Sequence, residues 1–486
     1  MSKSIKKNYI LNLINNISSM LFPLITFPYA ARIIMADGIG QINFFSSIIS
    51  YISLFTCLGI PMYAIRETAK VRDDQTTLSK TTTEILLLHI SLTLVGYIAV
   101  FIIAFTVPKV MADIPLFLLL STSIFFTAIG CEWFYQGVED FKYITIRAIT
   151  IRSLCVVLLF LLVKTKDDLH YYAIYSVIGS VGNNIFNFCR LRKHITLRLI
   201  ICNELRPLRH LKPVLNIFVL NLIVSIYINL DKVMLGLLTT NTSVGYYVGA
   251  TQMTGLLMRI VSSLSTVMIP RLSYLINNNQ MKEFKRIAQF SIDFVIAICI
   301  PLSLGLYITA PNVINLLCGP SYAPAIQTLQ ILSPILIFIA ISNVLGIQIL
   351  YPQGKESIVI KCTVVGAVVN VTLNVCLIPF LENNGAAIAS CIAEFMVTLV
   401  MIIISHKYIP INYSINRYSN YIIAGILMSA TLLTIHSITT FSNLFSLIIY
   451  TILGVIIYFG YLYMRKDTLF MSLITSQKRQ TILTKQ

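Results

Sequence analysis

Long apolar runs, separated by short clusters of charge, Gly, Pro or Asn, occupy most of this 486-residue chain. Fourteen such runs can be drawn, at about 9–31, 40–63, 84–107, 115–135, 145–163, 170–189, 213–238, 246–270, 287–309, 324–351, 358–381, 385–404, 420–438 and 443–464. Most are close to the roughly 20 residues with which an α-helix crosses a 30 Å hydrocarbon core. The connections are short and leave no sizeable extramembrane domain. The pattern therefore predicts an all-α membrane protein with 14 transmembrane helices.

Composition agrees. Hydrophobic residues make up 57% of the chain and charged residues 11%, against about a quarter charged in an ordinary soluble domain, and mean hydropathy is +0.82. Three soluble domains, the number the length alone would suggest, could not be covered with so few polar residues. The ten cysteines form no Cys-x-x-Cys pair and fall almost entirely inside apolar runs, so they read as small core residues and not as a metal site or a disulfide framework.

The net charge of +17 would raise nucleic-acid binding for a soluble chain. Its placement gives it another meaning. Taking the N-terminal segment and then every second connection collects 30 of the 36 basic residues, including Arg66, Lys70, Arg147, Arg152, the seven between Arg190 and Lys212, Arg271 and Arg417. The opposite set holds only Arg32, Lys109, Lys164 and Lys166, while Lys232 and Arg259 fall within spans. By the positive-inside rule both termini are cytoplasmic and the number of spans is even. The Arg190–Lys212 cluster reads as topology plus attraction to anionic headgroups, with a dedicated phosphate site as the alternative. Nucleic acid is not an expected partner.

The chain also repeats itself. A shift of 205 residues places Asn16 on Asn221, Gly40 on Gly245, Arg66 on Arg271 and Lys80 on Lys285, and a shift of 217 places Gln136-Gly137 on Gln353-Gly354. Helices 1–6 thus recur as 7–12 in parallel orientation. The expected organisation is an N-lobe at 1–189, a basic cytoplasmic linker at 190–212, a C-lobe at 213–404, and helices 13–14 with a basic tail at 405–486. Parallel repeats of this kind suit a transporter whose two bundles rock about a central cavity.

The segments FPYAARIIMADGIGQINFFSSI, RETAKVRDD, GVEDFKYITIR, INLDKVMLGLLTTNTSVGYY and VMIPRLS, in this order and spacing, resemble the bacterial O-antigen and polysaccharide flippases of the multidrug/oligosaccharidyl-lipid/polysaccharide exporter superfamily. The likeness covers about residues 8–400. One departure is Met35, where the family often carries a glycine before the G-x-G turn. The resemblance implies a two-lobed, fourteen-helix transporter of the bacterial inner membrane. Its cargo would be an undecaprenyl-pyrophosphate-linked oligosaccharide, moved from the cytoplasmic to the outer leaflet by alternating access. Membrane lipids, and a polysaccharide polymerase with its chain-length machinery, are the implied partners.

An ionisable side chain at mid-membrane costs about 2.5–3.5 kcal/mol on insertion scales and needs a wet face or a partner. Arg259 shares a helical face with Gln252, Gly255, Ser262, Ser263 and Thr266; Asn221, Ser225, Asn229 and Lys232 line up on helix 7, and Asn8, Asn12, Asn15, Asn16, Ser19 and Thr26 on helix 1. These stripes point to a hydrophilic lumen; interhelical hydrogen bonding is the alternative. Arginine suits a pyrophosphate because its planar fork donates two bonds at once. The expected substrate-binding set is Arg259 on the anionic headgroup, Lys232 and Arg32 nearer the outer mouth, Arg66 and Arg271 at the inner one, with Asn16, Asn221 and Gln252 for the sugars. Arg259 could instead neutralise Glu394 or Asp293.

No Gly-rich nucleotide loop is present, so no cofactor is expected and Glu394, Asp231 and Asp293 are the candidates for proton or sodium coupling. No metal site is expected. His89 and His436 read as hydrogen-bonded packing residues. The alternatives are a multidrug or cation antiporter, which predicts twelve spans and an acidic lumen, and a glycan polymerase, which needs a sizeable extramembrane domain or loop and a carboxylate or metal constellation.

Overall fold

The computed structural model describes residues 5–195, 205–409, 411–438 and 442–472. Side chains at 5–10, 12, 16, 216, 219–221, 223–228, 260, 263–267 and 415 lie outside that description. The described residues are helical with no strand, as expected where lipid cannot satisfy backbone N–H and C=O groups. Nine helical stretches among them are long and apolar enough to cross a membrane.

The helices are α1 (Ile5–Cys57), α2 (Ile60–Val71), α3 (Gln75–Thr106), α4 (Pro108–Met111), α5 (Ile114–Ile129), α6 (Glu132–Gly137), α7 (Phe141–Leu162), α8 (Leu169–Leu191), α9 (Leu211–Leu238), α10 (Asn241–Asn277), α11 (Met281–Leu317), α12 (Pro324–Leu332), α13 (Ile335–Asn343), α14 (Glu356–Ser405), α15 (Ile415–Ile438) and α16 (Asn443–Met464). Two of the longest are each broken inside. α1 breaks at Met35 and α14 at Glu382, both with positive φ. The breaks fall between the runs 9–31 and 40–63, and between 358–381 and 385–404, which the hydropathy pattern separates.

Acidic caps start several helices. Asp74 accepts from the N–H of Thr76, Asp113 from Leu116 and Asp140 from Tyr143, satisfying amides that have no partner inside the helix. At the other end of α9, Lys109 donates to the carbonyls of Gly236, at 2.7 Å, and Thr239, a cation at the negative end of the helix dipole. Burial there pushes the Lys109 ammonium below its ordinary range.

The chain divides into two compact units, Met1–Gly245 and Tyr246–Gln486. In the first, α9 packs along α1 and α2. A core of Ile60, Tyr63, Ile85, Phe134, Tyr135 and Val214 joins α2, α3, α6 and the start of α9. In the second, Phe284, Ile292, Cys299, Leu345 and Tyr458 belong to a core that joins α11 to the α15–α16 hairpin.

A close crossing lies in the first unit. A Cβ added to Gly40 would sit 1.7 Å from the carbonyl oxygen of Asn241, and one added to Gly245 would sit 1.9 Å from that of Ala36. Thr242 donates to Asp37 at 3.1 Å. Gly40 and Gly245, Ala36 and Asn241, and Asp37 and Thr242 are all pairs at the 205-residue spacing, so matched segments touch through matched positions.

Met35 has φ 61° and ψ 179°, a region open almost only to glycine, in which another residue costs about 1–3 kcal/mol. The family resemblance marks this position as one where glycine is common. Met35→Gly is therefore expected to raise stability by about 1 kcal/mol after the entropic cost of glycine is subtracted. Ile34→Gly, one residue earlier, should lower it; thermal midpoints in detergent compare the two.

Candidate functional site

In the first unit, two arginines that the charge sorting assigns to a cytoplasmic connection stand on α7 itself. The helix begins at Phe141, which places Arg147 in its second turn and Arg152 near its middle. Arg147 is buried. It donates to Glu132 at 3.0 Å, to Asn183 at 3.1 Å and to Asn187, and lies 5.3 Å from the Tyr143 ring centre. Arg152 reaches α1, where it bonds the backbone and side-chain oxygens of Asn15, each at 3.0 Å, and the hydroxyl of Ser18. Asn15 belongs to the polar stripe read on helix 1. The apolar run 145–163 already encloses both arginines and the helix agrees with it; only the charge sorting counts them with the preceding connection.

Of the expected binding residues in this unit, Arg32 is exposed on α1 and Lys232 is half-buried on α9 beside buried Asp231. The side chains of Asn16 and Asn221 lie outside the described residues. Arg66 is exposed on α2, with Nε 3.4 Å from Glu67 and its guanidinium 5.7 Å from the Tyr63 ring centre.

A second buried network ties the basic segment to α3. Glu84 is fully enclosed and accepts from the backbone N–H of Arg206 at 2.9 Å, from His210 Nε2 at 3.0 Å and from Arg209. The Tyr63 hydroxyl lies 2.7 Å from His210 Nδ1. Nε of Arg209 also lies 3.2 Å from His210 Nε2, so the carboxylate, the guanidinium and the phenol all meet on this one ring. Burial holds the His210 imidazole below its ordinary value.

In the second unit, Arg259 occupies the centre of α10 and is exposed, as is Gly255 one turn earlier, around whose Cβ position there is open space. Gln252 and Ser262 on the same stripe are half-buried. Arg271 is exposed near the end of α10. A guanidinium at the middle of an apolar helix faces water or a polar ligand more cheaply than hydrocarbon.

Asp293 is buried on α11 and engaged by Arg417. Arg417 Nε donates to it at 2.9 Å, a second guanidinium nitrogen completes a fork, and Tyr418 and Gln289 donate at 3.1 and 2.9 Å. Glu394 is half-buried on α14.

Sequence reasoning did not single out an uncharged buried cluster in this unit: Tyr247 and Ser390 at 3.1 Å, Asn374 donating to Asn370 at 3.0 Å, and Asn370 reaching Ser390 at 3.5 Å. Nor did it find an apolar cavity of about 410 Å3 lined by Pro301, Leu306, Met428, Leu432, Gly454 and Tyr458. That lining suits hydrocarbon. His436 lies 3.1 Å from the Tyr450 hydroxyl. His89, expected to be hydrogen-bonded, is buried with neither ring nitrogen bonded among the described residues.

Residues 5–276 match the family described as "Polysaccharide biosynthesis protein". The chain belongs to this family. Residues 217–376 also match the MatE family. Among curated relatives, this polysaccharide biosynthesis protein is 25% identical over 407 residues to the "Putative O-antigen transporter" of Escherichia coli K12, covering 82% of this chain and 96% of that one. It is 24% identical over 399 residues to the protein of the same name from Shigella dysenteriae, covering 82% and 99%. Among solved structures, the lipid II flippase MurJ in an inward closed conformation superposes with a TM-score of 0.76 at 16% identity, covering 95% of this chain and all of that one. An inward-facing multidrug resistance MATE transporter gives 0.66 at 12%, covering 81% and 97%. These likenesses establish the fold, which is like that of MurJ and of the MATE transporter.

Proposed function

We propose that the chain is a flippase, a transporter and not an enzyme, that carries a lipid-linked oligosaccharide of polysaccharide biosynthesis across the membrane. The observation that carries this reading is the family match over residues 5–276, joined to a relative matched over nearly its whole length that bears the name O-antigen transporter. The finer reading places 14 crossings in the bacterial inner membrane, both termini in the cytoplasm, and two parallel six-helix repeats followed by α15 and α16. Transport then proceeds by alternating access, and the cargo is an undecaprenyl-pyrophosphate-linked repeat unit.

In this reading Arg259 receives the anionic headgroup. Lys232 and Arg32 act nearer the outer mouth and Arg66 and Arg271 at the inner one, with Asn16, Asn221 and Gln252 meeting the sugars. Glu394, Asp231 and Asp293 are the candidates for proton or sodium coupling, and Asp293 is bonded by Arg417, Tyr418 and Gln289. A polymerase and its chain-length partner would take the product outside. The MatE match favours a cation or drug antiporter as the second reading, and a central arginine on α10 argues against a cationic cargo.

Arg259→Ala is expected to lower export of lipid-linked glycan at least about tenfold at equal expression, the worth of a charge-assisted hydrogen bond. Arg259→Lys should retain part of it. Unimpaired export in both would remove Arg259 from the substrate path. Drug efflux without any effect of the chain on lipid-linked glycan would replace the flippase reading altogether.

A further inference from the structure

The second unit holds a polar pocket whose lining, Asp293 apart, lies outside the residues assigned to transport. Its volume is about 290 Å3 and its lining includes Asp293, Arg417, Tyr421, Arg465, Lys466 and Asp467. It lies where α16 ends and α15 begins, against α11.

Both acids in the pocket are committed. Asp293 takes the Arg417 fork and the Tyr418 hydroxyl. Asp467 accepts from the Tyr421 hydroxyl at 3.2 Å and from the N–H groups of Leu469 and Phe470, each at 3.1 Å. Arg465 and Lys466 are exposed, and neither side chain has a hydrogen bond or ion pair among the described residues. They are also not needed to finish α16. The N–H of Lys466 bonds Tyr463 O and that of Asp467 bonds Leu462 O, each at 3.0 Å, the pattern of a Schellman turn. Its left-handed position, normally glycine, is occupied by Lys466 at φ 49°. A side chain is kept there at a conformational cost that glycine would avoid.

The depth of the pocket indicates its ligand. α16 runs 22 mostly apolar residues to Met464, about the thickness of the hydrocarbon core, so the next two residues stand at the level of the headgroup phosphates. Just inside them, Ile456, Tyr463 and Met464 are exposed, an apolar surface on which acyl chains can lie. Basic pockets between helices at this level bind phosphate-bearing headgroups.

We propose that this pocket is a specific site for the phosphate of an anionic phospholipid, with Arg465 and Lys466 as its donors and Arg417 held in place behind them by Asp293. Its donors, Arg465 and Lys466, are separate from the proposed transport residues, and the proposal does not depend on the flippase reading.

The test uses the full chain in nanodiscs of dioleoylphosphatidylcholine alone or with increasing dioleoylphosphatidylglycerol, following the thermal midpoint and the lipids retained in native mass spectrometry. Phosphatidylglycerol should raise the midpoint and be retained. The double variant Arg465→Gln/Lys466→Gln should need about tenfold more of it, whereas Lys282→Gln/Lys285→Gln, with the same loss of charge elsewhere, should behave like the parent. Lys466→Gly guards against misfolding, since it relieves the left-handed position: it should be at least as stable as the parent in phosphatidylcholine and still respond less to phosphatidylglycerol. Equal responses in parent and pocket variants, or an equal loss in the Lys282/Lys285 control, would overturn the proposal. So would a midpoint shift by inorganic phosphate in phosphatidylcholine that matches that of phosphatidylglycerol, which would assign the pocket to a soluble anion.

Discussion

Gly245→Val is expected to abolish the stable fold of the first unit, with a loss above about 3 kcal/mol. Overpacking an ordinary core costs about 1–3 kcal/mol because side chains and helices shift to make room. Here the obstacle cannot rotate away. The added Cβ would lie 1.9 Å from the backbone oxygen of Ala36, and the matching group at Gly40 would lie 1.7 Å from that of Asn241. Either substitution must push two helices apart, which also breaks the Thr242–Asp37 bond. Gly40→Ala and Gly245→Ala should therefore each lower the thermal midpoint strongly, and by similar amounts. Gly255→Ala supplies the contrast on α10: nothing lies near its Cβ position, and alanine favours the helix by up to about 1 kcal/mol. A parent-like midpoint for Gly245→Ala would show that the crossing is looser than its geometry.

That crossing also shows what the sequence could and could not convey. The 205-residue spacing reveals that two segments are alike; it does not reveal that Gly40 and Gly245 meet each other's segments, because likeness carries no distance. Helix-forming runs are legible from hydropathy alone, since lipid demands them, and even the break at Met35 falls between two runs. Side-chain partners are not. Arg147 takes its carboxylate from Glu132 and its amides from Asn183 and Asn187, and Asp293 takes its guanidinium from Arg417, 124 residues away. Such pairings depend on helix rotation and packing, which a hydropathy pattern leaves open. The charge sorting counts Arg147 and Arg152 with a connection although the apolar run 145–163 encloses both, and they stand on α7 as that run has it.

Glu84→Ala is expected to release the segment before α9, at a cost of about 3 kcal/mol. The basic residues from Arg190 to Lys212 read in sequence as a topology marker attracted to anionic lipid. In the structure two of them and the neighbouring His210 share one carboxylate: Arg206 through its backbone N–H, Arg209 and His210 through their side chains. The carboxylate is fully buried and Arg209 is about half exposed. Removing Glu84 strands the N–H of Arg206 and leaves the enclosed His210, among the described residues, with only the Tyr63 hydroxyl and Nε of Arg209, a residue then able to swing out to water. Most of the expected loss comes from those stranded groups. Glu84→Gln, which keeps one acceptor, should lose less. In a double-mutant cycle, Glu84→Ala and His210→Ala should cost clearly less together than the sum of the two, because they remove the same contact. Hydrogen exchange over residues 205–215 should quicken in either single variant while α11 and α16 stay protected. If the segment is held by lipid attraction alone, exchange there will instead follow the anionic lipid content of the nanodisc and be indifferent to Glu84→Ala.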